Sequence, residues 1–224
     1  MRQLPRERVS AVHGWRRAVV AGAVTVLIAS LLIPAARTSV LRAVGHVLVI
    51  DEPLSSADVI VVTADADGAG TLEASDLVAN GIAARVAVFA DPPDSIDVEF
   101  LRRGVPYEDR AAQSIRELRS LGIACVEQIP RTVVGTEDEG RVLPTWCDRS
   151  ALRSVVVICV RDHSRRLSRV LRRAMKGHRT TVITRPSRYS PFDPDHWWES
   201  RGGTRTTIIE LQKLLLDVAL HPFS

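Results

Sequence analysis

The sequence predicts an α/β fold: a mostly parallel sheet with helices on both faces, preceded by one N-terminal transmembrane helix. Three observations predict it. Compact β-branched runs alternate with stretches of helical period through residues 47–224, the pattern of strands buried on both faces. Gly81, Gly104 and Gly122 stand where helical patterns stop. A charge-free apolar run lies ahead of the whole pattern.

That run is Ala18 to Ala36, 19 residues without a charge. At 1.5 Å per residue it reaches roughly 28 Å, close to the hydrocarbon thickness of a bilayer. Arg2, Arg6, Arg8, Arg16 and Arg17 precede it, whereas only Arg37 and Arg42 follow closely. The asymmetry predicts residues 1–17 inside and the folded domain outside the plasma (inner) membrane, with Trp15 at the interface. A cleaved signal peptide fits less well, because cutting after Ala36 or Ala35 puts Pro34 or Ile33 at position −3. A buried core helix is the third reading, opposed by apolarity around the whole circumference. The expected organisation is a basic N-terminus at 1–17, a transmembrane helix at 18–36, a linker at 37–46 and an α/β domain at 47–224.

The elements follow in order. Asp58 to Thr63 reads as a buried strand, Thr71 to Asn80 as a helix, and Arg85 to Ala90 as a second strand. Ile96 to Arg103 reads as a short helix, and Tyr107 to Leu121 as an amphipathic one with Ala111, Ile115 and Leu118 on one face. A strand is expected at Cys125–Ile129, ended by Pro130. A helix over Thr136–Trp146 follows, with Pro144 disturbing its end. Ser154 to Val160 is the central strand. The helix His163–Lys176 carries Leu167, Val170, Leu171 and Ala174 at i, i+3, i+4 and i+7. A strand at Thr180–Thr184, a loop rich in Pro, Tyr and Trp, and a helix at Thr204–Leu220 complete the chain.

Composition excludes some classes. With 46% hydrophobic and 25% charged residues the chain is not disordered. Its net charge of +4 comes from Arg, since Lys176 and Lys213 are the only lysines. No aromatic–basic interleaving points to nucleic acid. Cys125, Cys147 and Cys159 show no metal-ligand spacing, and no metal is expected. Cys159 reads as core. A Cys125–Cys147 bridge is conceivable outside the cytoplasm, but spacing alone cannot fix its geometry.

Five polar segments and one Arg-rich helix could carry chemistry. Val160-Arg-Asp-His-Ser-Arg-Arg166 ends a strand and starts a helix, so His163 and Arg166 share a face at the strand's carboxyl end. Asp162 is a natural N-cap there, and His163 suits proton exchange near neutrality. In the bland alternative both residues only cap and pack. Thr136 and Glu139 either form a capping box or contact a ligand. Glu210 and Lys213 sit three apart among Ile208, Ile209, Leu211, Leu214, Leu215 and Leu216, a setting that calls for partial burial. Trp197 and Trp198 could wall a pocket, cover a sheet edge or touch the bilayer interface. Asp65 and Asp67 follow the first strand; they would repel phosphate but could hold a metal or a ribose hydroxyl. The 161–179 segment carries seven Arg plus Lys176, of which Arg165, Arg169, Arg172 and Lys176 line one face. That face is either solvated or turned to anionic lipid or a lipid-linked phosphate.

These pieces, in this order, resemble the YdcF/SanA/ElyC-like family of bacterial membrane-associated proteins over roughly Val47 to Leu220. The resemblance is carried by Asp58-Val-Ile-Val-Val, Gly104-Val-Pro106, Thr136 with Glu139, His163-x-x-Arg166 and Glu210-x-x-Lys213. It implies a Rossmann-like fold, membrane anchoring and a role in the cell envelope, including peptidoglycan or lipid-carrier metabolism. It implies a ligand site at Thr136, Glu139, His163, Arg166, Glu210 and Lys213. His163 is taken as the acid/base, and Asp65, Asp67, Asp162 and Trp198, read from the residues themselves and not from the resemblance, are further candidate ligand contacts. The implied ligand is a phosphorylated or lipid-linked envelope precursor; S-adenosylmethionine binding by one member type makes a nucleotide-like cofactor an alternative. The chain departs from the family at its turns: Thr63-Ala-Asp-Ala-Asp-Gly-Ala-Gly70 replaces a Gly-Gly turn, Asp91-Pro-Pro93 a Ser-Gly turn, and Val160-Arg-Asp162 a Thr-Ser. A non-catalytic binding or scaffold module therefore stands beside the enzyme reading.

Overall fold

The computed structural model describes residues 19–22, 25, 33–107 and 109–222. The chain divides into two units, residues 1–44 and 45–224. Among the described residues no helix is long and apolar enough to cross a membrane. Most of the expected spanning run at 18–36 lies outside the described residues.

Five parallel strands form one sheet: β1 (Val59–Val62), β2 (Arg85–Ala90), β3 (Cys125–Thr132), β4 (Ser154–Cys159) and β5 (Thr181–Pro186). Their spatial order is β3-β2-β1-β4-β5. This is the doubly wound order, whose direction of growth reverses between β1 and β4. The helices are α1 (Pro34–Leu48), α2 (Asp67–Ala79), α3 (Ser95–Arg102), α4 (Arg110–Ser120), α5 (Thr136–Arg149), α6 (Ser164–Ala174) and α7 (Arg201–Leu220). Helix α1 occupies the segment expected as a linker.

The period-2 geometry of the strands sorts their side chains into two cores. Val59, Val61, Ala87, Phe89, Val155 and Val157 face the layer that holds Leu143 and Trp146 of α5 and Leu167 and Leu171 of α6. Ile60, Val62, Val86, Val88, Val156 and Ile158 face Ala74 and Leu77 of α2 and Ala111 and Leu118 of α4. Central strands buried on both faces explain why VIVV and SVVVIC read as unbroken apolar runs.

Several boundaries differ from expectation: α2 begins at Asp67 instead of Thr71, α4 at Arg110 instead of Tyr107, and β5 runs on to Pro186. Strand β3 continues through Pro130 to Thr132 because it lies at the sheet edge, where a missing N–H breaks no ladder. Helix α5 runs past Pro144 to Arg149. The segment before α6 is a 3-10 turn, Arg161–His163, so Asp162 lies inside the turn and makes no capping hydrogen bond; His163 occupies the N-cap position. Likewise Thr136 and Glu139 form no capping box: Gly135, at φ +78°, is the N-cap residue of α5, with no side-chain cap. All three cysteines are free, with Cys125 exposed and Cys147 and Cys159 buried.

Long-range carboxylates tie the periphery to this frame. Asp58 accepts from the N–H groups of Arg153 (2.6 Å) and Ser154 (3.0 Å), and these bonds hold its carboxyl below the usual range. Glu52 accepts from Ser168 Oγ (3.0 Å) and Thr184 N–H (2.7 Å), and pairs with Arg172. Buried Glu73 accepts from Arg185 Nε (2.9 Å) and Arg188 N–H (3.0 Å), holding the loop after β5 against α2. The Arg-rich face of α6 is spent internally. Arg169 and Arg173 both meet buried Asp217 of α7 (2.5 and 3.1 Å), and Arg165 donates to backbone carbonyls of Val47 and Val49.

Candidate functional site

The carboxyl ends of β1 and β4 are adjacent at the point where strand order reverses, the place where doubly wound sheets bind their ligands. Asp65 arrives on the loop after β1 and His163 on the turn after β4. His163 Nδ1 lies 3.2 Å from Asp65 Oδ2. Thr63 donates its hydroxyl to Asp65 Oδ1 at 2.8 Å, fixing the carboxylate from the other side. The pair is asymmetric: His163 is 4% exposed, while the Asp65 side chain is 51% exposed. The two groups approach at ion-pair distance without hydrogen-bond geometry. Nε2 is buried and has no hydrogen-bond partner among the described residues.

Glu139 reaches the same place from the first turn of α5. It is 3% exposed, and its Oε1 accepts from Ala64 N–H at 3.2 Å. Burial raises its pKa to about 8; Asp65 adds to the rise, while the Ala64 N–H and Arg166 oppose it. Glu139 is therefore largely a neutral carboxylic acid at pH 7, able to donate a proton. Beside it, Arg166 Nε and Nη2 bind Glu210 Oε2 at 3.1 and 2.9 Å, and Lys213 Nζ binds Glu210 Oε1 at 2.6 Å. Burial alone would push the Glu210 carboxyl up, but Lys213 and Arg166 outweigh it and hold it below the usual range.

A cavity of about 370 Å³ opens over the ends of β1, β2 and β3. Asp65, Asp91, Arg110, Thr136 and Glu139 line it together with Val133. Asp91, Arg110 and Val133 were not singled out from sequence; the one local signal was Asp91-Pro-Pro93 directly after a strand. A second cavity of about 370 Å³ lies on the other side of the turn, lined by Asp162, Phe192, His196 and Trp197. Burial raises the Asp162 carboxyl there, opposed by the nearby His163.

The residues expected at the site thus divide. Asp65 meets His163 and, with Thr136 and Glu139, lines the first cavity, whereas His163 itself lines neither cavity. Arg166, Glu210 and Lys213 form a connected ion network beside them, in which the Arg166 guanidinium is engaged by Glu210. Asp162 belongs to the second cavity, whose tryptophan is Trp197; Trp198 stacks edge-on against Trp197, with ring centroids 5.9 Å apart. Asp67, at φ +40°, stands 3.6 Å from Arg110 in a groove between α2 and α4. No group of three or more metal-ligating side chains occurs among the described residues.

No family model matches the chain, and no curated protein matches it. Among solved structures, a universal stress protein crystallised in complex with cAMP is similar at 17% identity and a TM-score of 0.35, over 59% of this chain and 99% of that one. A likeness that slight carries no argument about this chain's ligand. The class of the domain rests on its own topology: a doubly wound α/β domain with an acid–base cluster at the switch point.

Proposed function

We propose that this chain is a membrane-tethered cell-envelope protein whose α/β domain acts on a polar envelope precursor by acid–base chemistry at the carboxyl ends of β1 and β4. The observation that carries the proposal is the His163–Asp65 pair set beside a protonated, buried Glu139. Asp65 stands beside the imidazole, which can accept a proton, and Glu139 supplies one. A buried carboxylic acid set beside an imidazole supplies the acid and the base that a proton-transfer site needs. The tether is supported by the apolar run at 18–36 and the excess of arginine before it.

The test has two parts. Native mass spectrometry of the full chain in detergent should find a co-purifying polar metabolite, and His163→Ala and Glu139→Gln should each abolish rescue of an envelope defect in a deletion strain while the protein accumulates normally. Equal rescue by wild type and both variants would remove the catalytic reading and leave the non-catalytic binder, which the loss of glycine at the turns after β1 and β2 favours. An alkaline phosphatase fused after Ser224 should be active; activity only of a cytoplasmic reporter would reverse the orientation.

A further inference from the structure

We infer that the outer face of α7 lies on the surface of an anionic bilayer, with its leucines and isoleucines among the upper acyl chains and its arginines among the headgroups. The inference rests on the proposed tether for the nearness of a bilayer. It goes beyond that reading in assigning the folded domain a membrane contact of its own.

Helix α7 is built inside out. The residues that it buries, Thr207, Glu210, Leu214 and Asp217, are mostly polar. Glu210 and Asp217 reach inward to Arg166, Arg169 and Arg173 of α6. The side chains that it exposes include Ile208, Ile209, Leu215, Leu216, Val218 and Leu220, with Leu215 66% and Leu220 64% exposed. A single exposed leucine is ordinary. Six large apolar side chains exposed on one helix form a patch of the kind that marks a partner or a membrane surface. The helix cannot roll to bury them without parting Glu210 and Asp217 from their arginines, which would strand buried charges.

Charge is the first observation that chooses a lipid surface. Both acids of α7 are buried, so the charged side chains that the helix exposes are Arg201, Arg205 and Lys213, all cations. Arg201, Arg205, Ile208 and Leu215 fall on one row of the helix, at i, i+4, i+7 and i+14. Anionic headgroups complement the basic end of that row while its apolar end enters the acyl boundary. A second copy docked through the same face would offer these cations no exposed acid of α7.

The second observation is where the chain enters the domain. Gly45 abuts Pro194 and Trp197, and Leu48 packs with Phe192 and with Leu214 of α7. The apolar run ends at Ala36, and residues 37–44 reach about 12 Å as a helix. A tether rooted in the bilayer thus delivers the chain to the domain beside α7. Trp197 and Trp198, half-buried in the turn ahead of α7, add indole rings of the kind that settle at headgroup level.

The test is fluorescence of the full chain reconstituted in phosphatidylcholine vesicles with and without phosphatidylglycerol. A nitrobenzoxadiazole probe is attached at Leu215→Cys, or at Ser120→Cys of α4 on the other face of the sheet as a control. A Cys125→Ser background leaves only the buried thiols of Cys147 and Cys159. The expected result in the mixed vesicles is a blue-shifted probe at 215, quenched at least threefold more than the control by lipids carrying a nitroxide high on the acyl chain. Omitting phosphatidylglycerol, or combining Arg201→Gln with Arg205→Gln, should each lower that quenching at least twofold. Both arginines are exposed, so the double variant should keep the wild-type urea midpoint in detergent. A probe at 215 as wet as the control overturns the inference, as does insensitivity to both the lipid and the arginine changes. Shielding that appears only at high protein-to-lipid ratio gives the face to a second copy, and shielding without nitroxide quenching gives it to a segment of protein; either overturns the inference. Alkaline carbonate separates this contact from the tether. A chain that resists extraction with a wet probe sinks this inference alone, whereas a chain that is quenched in vesicles yet stripped by carbonate sinks the tether alone.

Discussion

Asp65 Oδ2 and His163 Nδ1 stand 3.2 Å apart although 98 positions separate them in the chain. The two ends of the contact are unequal. Asp65 is half exposed, so water screens much of the Coulomb attraction, while the imidazole is buried. Asp65→Ala should therefore cost only a modest amount, under about 1 kcal/mol, seen as a lower urea midpoint. Asp65→Asn keeps an acceptor oxygen and should lose less than half as much. Both should abolish envelope rescue. If Asp65→Ala unfolds at the wild-type midpoint and rescues fully, the contact is incidental.

Glu210 separates two roles that its sequence neighbourhood blurs. The Arg166 side chain is 14% exposed, whereas Lys213 is 52% exposed. Glu210→Gln leaves a mostly buried guanidinium without its counter-charge and should cost about 2–4 kcal/mol. Lys213→Met removes a screened surface partner and should cost under about 1 kcal/mol. The carboxyl of Glu210 is held below its unfolded value, so its contribution is present above the unfolded pKa and is lost as pH falls through the depressed one. Acid unfolding of Glu210→Gln should accordingly be shallower than that of wild type. Equal midpoints for the two variants would contradict the distinction.

The strands were legible in the sequence because burial on both faces leaves an unbroken apolar run, as in Val59–Val62 and Ser154–Cys159. Candidate residues on strand-end turns were legible for a similar reason: the topology delivers Asp65 and His163 to one edge. Caps were not. Asp162 and Glu139 have the right types at the right spacing for capping, yet both line cavities, and the Glu139 carboxyl is taken by Ala64 N–H from a distant loop. The Arg face of α6 read as solvated or lipid-facing because its partners, Glu52 and Asp217, lie 120 and 48 residues from the arginines they bind. Local spacing carries no information about such pairs.

Two glycines of α2 should respond to alanine with opposite signs. A Cβ at Gly68 would meet nothing within 4 Å, so Gly68→Ala should gain up to about 1 kcal/mol from helix propensity. A Cβ at Gly70 would lie 2.6 Å from both Ala66 Cβ and Val62 Cγ1, at the join between α2 and β1. Gly70→Ala should lose about 1–3 kcal/mol through forced separation of that packing. Thermal melts of the two variants decide the matter, and a stabilised Gly70→Ala would show that α2 can slide away from the strand.

Glu139 should give stability a pH dependence opposite in sign to that of Glu210. Its pKa is about 8 in the folded chain and near 4.5 when solvated, so between those values the folded state holds a proton that the unfolded state has released. The contribution of the neutral carboxyl is fully present below about pH 4.5 and is lost progressively as pH rises to about 8. The wild type should therefore lose roughly 3–5 kcal/mol across that window from this group alone, as an upper bound. Glu139→Gln keeps the shape, remains neutral throughout and should abolish the slope. The two proteins should be similar in stability at pH 5, with the variant more stable at pH 8. Urea titrations at pH 5, 6.5 and 8 measure the difference; parallel curves for wild type and variant would mean that the carboxyl is ionised in the fold and cannot serve as the acid of the site.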